Sequence, residues 1–291
     1  MICTVWHRKY VIVILMIAFL LNVVSGQDLS NYISREEPSP QSATYQTFKG
    51  LQVGNAQSTT LLEKKELMLV IGHRFGKISG GFYQLFGLDQ ATMRLGFDYG
   101  FLPWLTAGFG RSTFQKTWDV RIKARLMHQA NPGTPFNLVA YGQAGYNTVR
   151  SVFPDSKDNL AGRTTYSFQA LASRDLKRFS FQLAPIYLHS AYDPILGESA
   201  DLVSLGFAGR VELTKTIDLT IEYYAALSKP DPAIKDPLTL GIEFDTGGHL
   251  FQLFLSNAQG MIDKAALLNT TGTWLNGDIY FGFNLTRVYY P

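Results

Sequence analysis

Charged side chains recur at alternate positions inside otherwise apolar stretches of this chain: Arg94 and Asp98, then Arg121, Lys123 and Arg125, then Arg210 and Glu212, Glu222, and finally Glu243 and Asp245. Successive side chains of a strand point to opposite faces, so this spacing gathers the charges on one face and leaves the other to apolar neighbours. Such a face has two uses. Opposite charges can satisfy one another in a lattice that fills or braces an enclosed interior, or they can line a passage and select solutes by charge. Both signs occur in similar number and the formal charge of the chain is only +3, which favours bracing. The run Arg121, Lys123, Arg125 is the best candidate for selection. Three like charges on one strand face repel unless acids opposite, or an anionic solute, meet them.

Other chemistry is weaker. No two of His73, His128, His189 and His249 stand at metal-ligand spacing with a third donor nearby, so neither a metal nor another cofactor is expected. His73, His189 and His249 fall near predicted strand ends, where a hydrolase of lipid or envelope polymer could place a rim Ser-His-acid set. No Gly-x-Ser-x-Gly accompanies them, and that reading ranks third. Gly108-Phe-Gly-Arg-Ser112 lacks the glycine spacing and following helix of a phosphate loop and reads as strand glycines. The small net charge points to no nucleic-acid partner.

The elements that carry these residues are strands. Period-two segments occur at 65–74, 91–99, 105–112, 117–129, 136–147, 164–174, 179–189, 201–214, 217–227, 237–245, 249–256 and 278–290, about twelve in all. In the last, Ile279, Phe281, Phe283 and Leu285 oppose Asp278, Tyr280, Gly282, Asn284 and Thr286, one side suited to lipid and the other to water. It is predicted to close a barrel by pairing with the strand near 66–74. The fifth to seventh segments alternate less cleanly, because Val139, Leu171, Ile186 and Leu188 fall on the face called interior; a slip by one residue would reverse it. The gaps between segments alternate long and short, apart from 113–116. That is the asymmetry of outer-membrane barrels, with tight periplasmic turns and longer outer loops.

The chain opens with a basic stretch (His7, Arg8, Lys9), an apolar run from Tyr10 to Leu21 and small residues at Val24-Ser25-Gly26, the pattern of a cleaved signal peptide over 1–26. The sole cysteine, Cys3, lies within it, so the mature chain is expected to form no disulfide. Residues 27–60, polar with Pro38 and Pro40, read as a flexible periplasmic tail that becomes ordered towards Phe48. Residues 61–291 read as the barrel.

Ordered blocks then bring a family to view: Phe48-Lys49-Gly50, His73-Arg74-Phe75-Gly76, Leu85-Phe86-Gly87-Leu88-Asp89, Arg94-Leu95-Gly96-Phe97-Asp98-Tyr99-Gly100, Gly108-Phe109-Gly110-Arg111-Ser112, Glu222-Tyr223-Tyr224, Thr246-Gly247-Gly248-His249 and Gly277-Asp278-Ile279-Tyr280-Phe281-Gly282-Phe283-Asn284. Together they resemble a Bacteroidota outer-membrane β-barrel family known only as a domain of unknown function. The resemblance implies a barrel in the outer membrane of a Gram-negative bacterium and no catalytic residues.

The expectation is therefore an all-β, antiparallel, up-and-down transmembrane barrel. It would serve as a narrow, porin-like channel for small solutes, with outer-membrane lipid around it. A structural or partner-binding barrel that engages envelope proteins through loops 148–163 and 257–277 is the alternative.

Overall fold

The computed structural model describes residues 47–129, 133–150 and 152–290. The expected signal peptide and residues 27–46 of the expected tail lie outside the described residues. Two short strands, β1 (Gln52–Val53) and β2 (Ala56–Gln57), form a small hairpin. Twelve more follow: β3 (Leu67–Lys77), β4 (Ala91–Leu102), β5 (Leu105–Ser112), β6 (Thr117–Met127), β7 (Asn137–Asn147), β8 (Thr164–Leu176), β9 (Phe179–Asp193), β10 (Glu198–Glu212), β11 (Ile217–Ser228), β12 (Leu238–Asp245), β13 (His249–Ser256) and β14 (Tyr280–Tyr289). Each of these twelve runs antiparallel to its neighbour in sequence, and β14 returns to β3, with Phe283 opposite His73 and Leu285 opposite Ile71. The ladder closes on itself and leaves no edge, so the backbone donors and acceptors of the wall are satisfied within it.

Side-chain alternation sets the two faces. Along β6, Thr117, Asp119, Arg121 and Lys123 are buried while Trp118, Val120 and Ile122 are exposed. On β10, Leu202, Ser204, Ala208 and Arg210 are buried against exposed Val203, Leu205 and Phe207. The outer face is thus a continuous apolar surface larger than a soluble protein leaves uncovered, and it suits lipid. No helix among the described residues is long and apolar enough to cross a membrane; the strands do the crossing.

Loops 78–90, 113–116, 148–163, 194–197, 229–237 and 257–279 share one rim, and 103–104, 128–136, 177–178, 213–216 and 246–248 share the other. The expected loop at 190–200 is shorter than its composition suggested. Ser190 pairs with Ala200 and Asp193 with Glu198, so the β9–β10 ladder runs on to a turn at 194–197 that contains Pro194 and Gly197, the latter at φ 78°. Polar residues there belong to a strand that has risen past the apolar belt.

Val120 is exposed on the outer face of β6, so Val120→Arg is expected to lower stability in a bilayer by ~2–4 kcal/mol, against near neutrality for Val120→Leu. Denaturant titration of vesicle-embedded protein measures the difference.

Candidate functional site

The inside of the barrel is full, and what fills it is the chain itself. Residues 47–62 contain Phe48, Leu51, Val53, Ala56, Leu61 and Leu62, each less than a tenth exposed. They touch inward-facing side chains right round the wall: Thr106 on β5, Lys123 on β6, Ser173 on β8, Glu222 on β11 and Gln252 on β13. The tail expected to become ordered towards Phe48 is ordered inside the barrel from residue 47 onward. Its polar composition reads as disorder only because the partners of its polar groups lie on the wall and not within the segment. It enters by the rim of the shorter turns, where β3 begins.

From the opposite rim, loop 257–279 also turns inward. Asn257, Ala258, Met261, Ile262 and Lys264 to Leu268 are buried. The Gln169 amide donates to Asp263 Oδ2 at 2.8 Å, the Asp263 amide donates to Gln143 Oε1 at 3.1 Å, and Lys264 pairs with Asp193 at 3.1 Å. This loop was one of the two expected to meet partners outside; its apolar run 265–268 is part of the core, while Leu275 further along it is fully exposed. Where it leaves towards β14, Lys77 donates to Asp278 at 2.7 Å and holds that carboxyl below the usual carboxylate range.

The wall has two sectors. The side chains that blurred the alternation of the fifth to seventh predicted strands, Val139, Leu171, Ile186 and Leu188, all point inward and are at most 2% exposed. With Leu202 and Tyr224 they make an apolar surface against which Phe48, Val53, Leu61, Leu267 and Leu268 pack. The register is regular there; the interior is apolar because apolar side chains of the inserted segments need a partner. Burial of each such side chain contributes ~1.5–3 kcal/mol.

The other sector is charged. Arg94 grips Asp119 with two donors, Nε to Oδ1 at 2.9 Å and Nη2 to Oδ2 at 2.5 Å, and Arg121 grips Asp98 in the same forked way. Both pairs link β4 to β6 across β5. A Cβ on Gly108 would collide with the Asp98 carboxylate and one on Gly110 with the Arg94 guanidinium, so the glycines of Gly108-Phe-Gly-Arg-Ser112 exist to let the pairs pass. Arg210 reaches Asp218 at 3.3 Å, and Lys49 of the inserted segment meets the same carboxylate at 3.2 Å. Among the expected residues, Arg94, Asp98, Arg121, Lys123, Arg210, Glu222 and Glu243 are buried inside, whereas Arg125, Glu212 and Asp245 are only half-buried, close to strand ends. Arg121 and Lys123 do not repel unopposed: the first has Asp98, and the second donates to Leu51 O and Ser58 O at 2.5 and 2.8 Å.

Sequence reasoning passed over Arg74, Asp119 and Asp218, all buried within the wall. The first two were legible, since Arg74 shares the face of Met68, Val70 and Gly72, and Asp119 that of Arg121. Arg74 lies over the Phe254 ring at 4.2 Å and donates to Asn55 Oδ1 at 2.7 Å and Asn284 Oδ1 at 3.0 Å. Its inward partners come partly from the inserted segment, which the sequence did not place there.

The histidines stand elsewhere. His73 stacks on Phe283 with ring centroids 5.3 Å apart, His189 Nδ1 lies 2.9 Å from the exposed Asp201 carboxylate, and His249 Nε2 lies 3.3 Å from Arg287. Their partners are a ring, a carboxylate and a guanidinium, not a hydroxyl nucleophile. Among the described residues no three His, Cys, Asp or Glu side chains form a metal-holding group.

Residues 48–289 match the family described as Membrane bound beta barrel domain (DUF5777). No curated protein matches the chain. Solved structures of similar outline include the NanC porin, at 12% identity with 77% of this chain and 99% of that one covered and a TM-score of 0.49. An outer-membrane channel from Pseudomonas putida F1 has 15% identity, coverage of 79% and 97%, and a TM-score of 0.46. Omp33 of Acinetobacter baumannii has 10% identity, coverage of 78% and 99%, and a TM-score of 0.44.

Breaking one forked pair leaves a buried charge alone. Asp98→Asn is expected to lower stability by ~3–5 kcal/mol, whereas the paired replacement Asp98→Leu with Arg121→Met is expected to be close to neutral. Equilibrium unfolding of the two variants in detergent micelles distinguishes them.

Proposed function

This chain belongs to that membrane-bound β-barrel family, and from that premise we propose that it is a porin-like outer-membrane barrel whose passage is closed at rest by its own residues 47–62 and 257–272. The apolar outer belt takes outer-membrane lipid, and the shorter turns face the periplasm. A Gram-negative envelope, of the Bacteroidota kind that the sequence blocks resemble, is the compartment this reading implies.

One observation carries the proposal. The filling is made of segments that are not strands of the wall, and the N-terminal one meets the wall both through polar contacts and through Phe48, Val53 and Leu61 packed on its apolar sector. Two cavities between filling and wall hold about 10 Å³ each, one lined by Thr117, Gln143, Asn147 and Thr165, the other by Gln57, Gln182 and Tyr224. That is space for about a single water molecule. With residues 47–62 and 257–268 largely buried inside the wall, conduction on this reading requires a segment to move. Residues 47–62 are the better candidate, since among the described residues they join the wall covalently at one end, through 63–66, whereas 257–279 is held by β13 and β14 on both sides.

The second reading, a structural or partner-binding barrel without transport, is favoured by the forked pairs Arg94 with Asp119 and Arg121 with Asp98, which brace one wall sector without any help from the filling. The two readings part on whether the N-terminal segment ever leaves. Thr59 and Ser173 face each other with hydroxyls 2.5 Å apart, so Thr59→Cys with Ser173→Cys offers a removable lock in a chain whose one native cysteine is Cys3. In planar bilayers, the oxidised variant is expected to show no openings and the reduced variant to show intermittent ones. Equal behaviour of both forms, silent or conducting, would contradict a displaceable closure.

A further inference from the structure

We propose that the lumenal wall is a binding site for peptide main chain, occupied at rest by residues 50–58 of the same molecule. The proposal rests on the reading that this segment can be displaced, and it names the class of solute the vacated site would take: a short peptide able to form a tight turn.

The contacts that carry it run from wall side chains to backbone atoms. One carboxylate oxygen, Glu222 Oε1, accepts from the amides of Asn55 and Ala56, both at 2.8 Å. Across the lumen, the Lys123 ammonium donates to the carbonyls of Leu51 and Ser58. Gln252 donates to Gln52 O and Gln182 to Gln57 O, each at 2.7 Å, and Asn284 donates to Gly54 O at 2.8 Å. Wall donors thus sit on carbonyls and the wall acceptor sits on amides, at matching positions along a hairpin. From residue 50 to 58 the described wall contacts that use a polar side chain of the segment are those of Arg74 to Asn55.

Charge points the same way. Lys123 and Glu222 are 3% and 1% exposed, and neither forms a salt bridge among the described residues, unlike Arg94, Asp98, Arg121 and Asp119. Buried ionisable groups without an ionic partner are unfavourable unless hydrogen-bonded. In this wall those bonds come largely from inserted backbone. The geometry also demands a turn: Gly54 sits at φ 58°, as the first residue of a two-residue hairpin loop requires, and a Cβ there would approach Glu222 Oε1 to 2.9 Å. A site that reads main chain and turn accepts many sequences, as strand-adding peptide sites do.

The test uses the full chain with a protease site built into the exposed Lys64-Lys65 turn and cut after folding in nanodiscs. A fluorescent peptide copying residues 47–62 is the probe, and anisotropy is the readout. The native peptide is expected to exchange into the cut barrel. A competitor carrying Gln52→Ala, Gln57→Ala and Ser58→Ala is expected to bind within about tenfold of it, since those side chains give the wall little. A competitor with unaltered side chains but N-methylated at Asn55 and Ala56 is expected to bind at least about tenfold more weakly, because it cannot donate to a buried carboxylate. Failure of the alanine competitor, or equal binding of the N-methylated one, would overturn main-chain recognition while leaving displaceable closure intact. If the native peptide does not enter the cut barrel, the displaceable closure fails, and this inference fails with it.

Discussion

A closed barrel forbids its interior from borrowing water freely, so each polar group turned inward must find its partner inside. The wall of this protein turns in more charge than it can pair along its own strands. Arg94, Asp98, Asp119 and Arg121 satisfy one another through forked bonds across β5, but Lys123, Glu222 and Arg74 complete their bonding with atoms of residues 51–58. That dependence governs the rest. The inserted segment is held where the wall needs it, its apolar residues meet apolar side chains of the wall on β7 to β11 and on β3, and on the proposed reading the passage is shut as a consequence.

Much of the wall was legible from the sequence because one physical rule, alternation between lipid and interior, dominates each strand. Phe281, Phe283 and Leu285 against Gly282, Asn284 and Thr286 fixed the faces of the closing strand, and its partner was found at β3. The rule was blurred where the interior stopped being polar. Val139, Leu171, Ile186 and Leu188 broke the expected pattern because they pack against Phe48, Val53 and Leu61, and nothing local to those strands announces such long-range partners. The irregularity was itself the trace of the filling.

The same limit explains the segment before β3 and the loop after β13. A run such as Gln52 to Thr60 has few apolar residues and no period, which ordinarily means disorder. Here its order is supplied by side chains tens to hundreds of positions away, among them Lys123, Glu222 and Gln252. Loop 257–279 carried a clearer signal, since Ala265-Ala-Leu-Leu268 is apolar for an exposed outer loop. Arg125, Glu212 and Asp245 show the complementary error: alternation put them on the inner face, but they sit close to strand ends, where the interior opens to solvent.

The central claim is that residues 47–62 occupy the lumen in the resting protein, and amide hydrogen exchange of the full chain in lipid nanodiscs tests it most directly. The amides of Asn55 and Ala56, buried against Glu222, are predicted to exchange orders of magnitude more slowly than in the isolated peptide, with protection comparable to that of the barrel strands. Exchange at the rate of the free peptide would contradict the account.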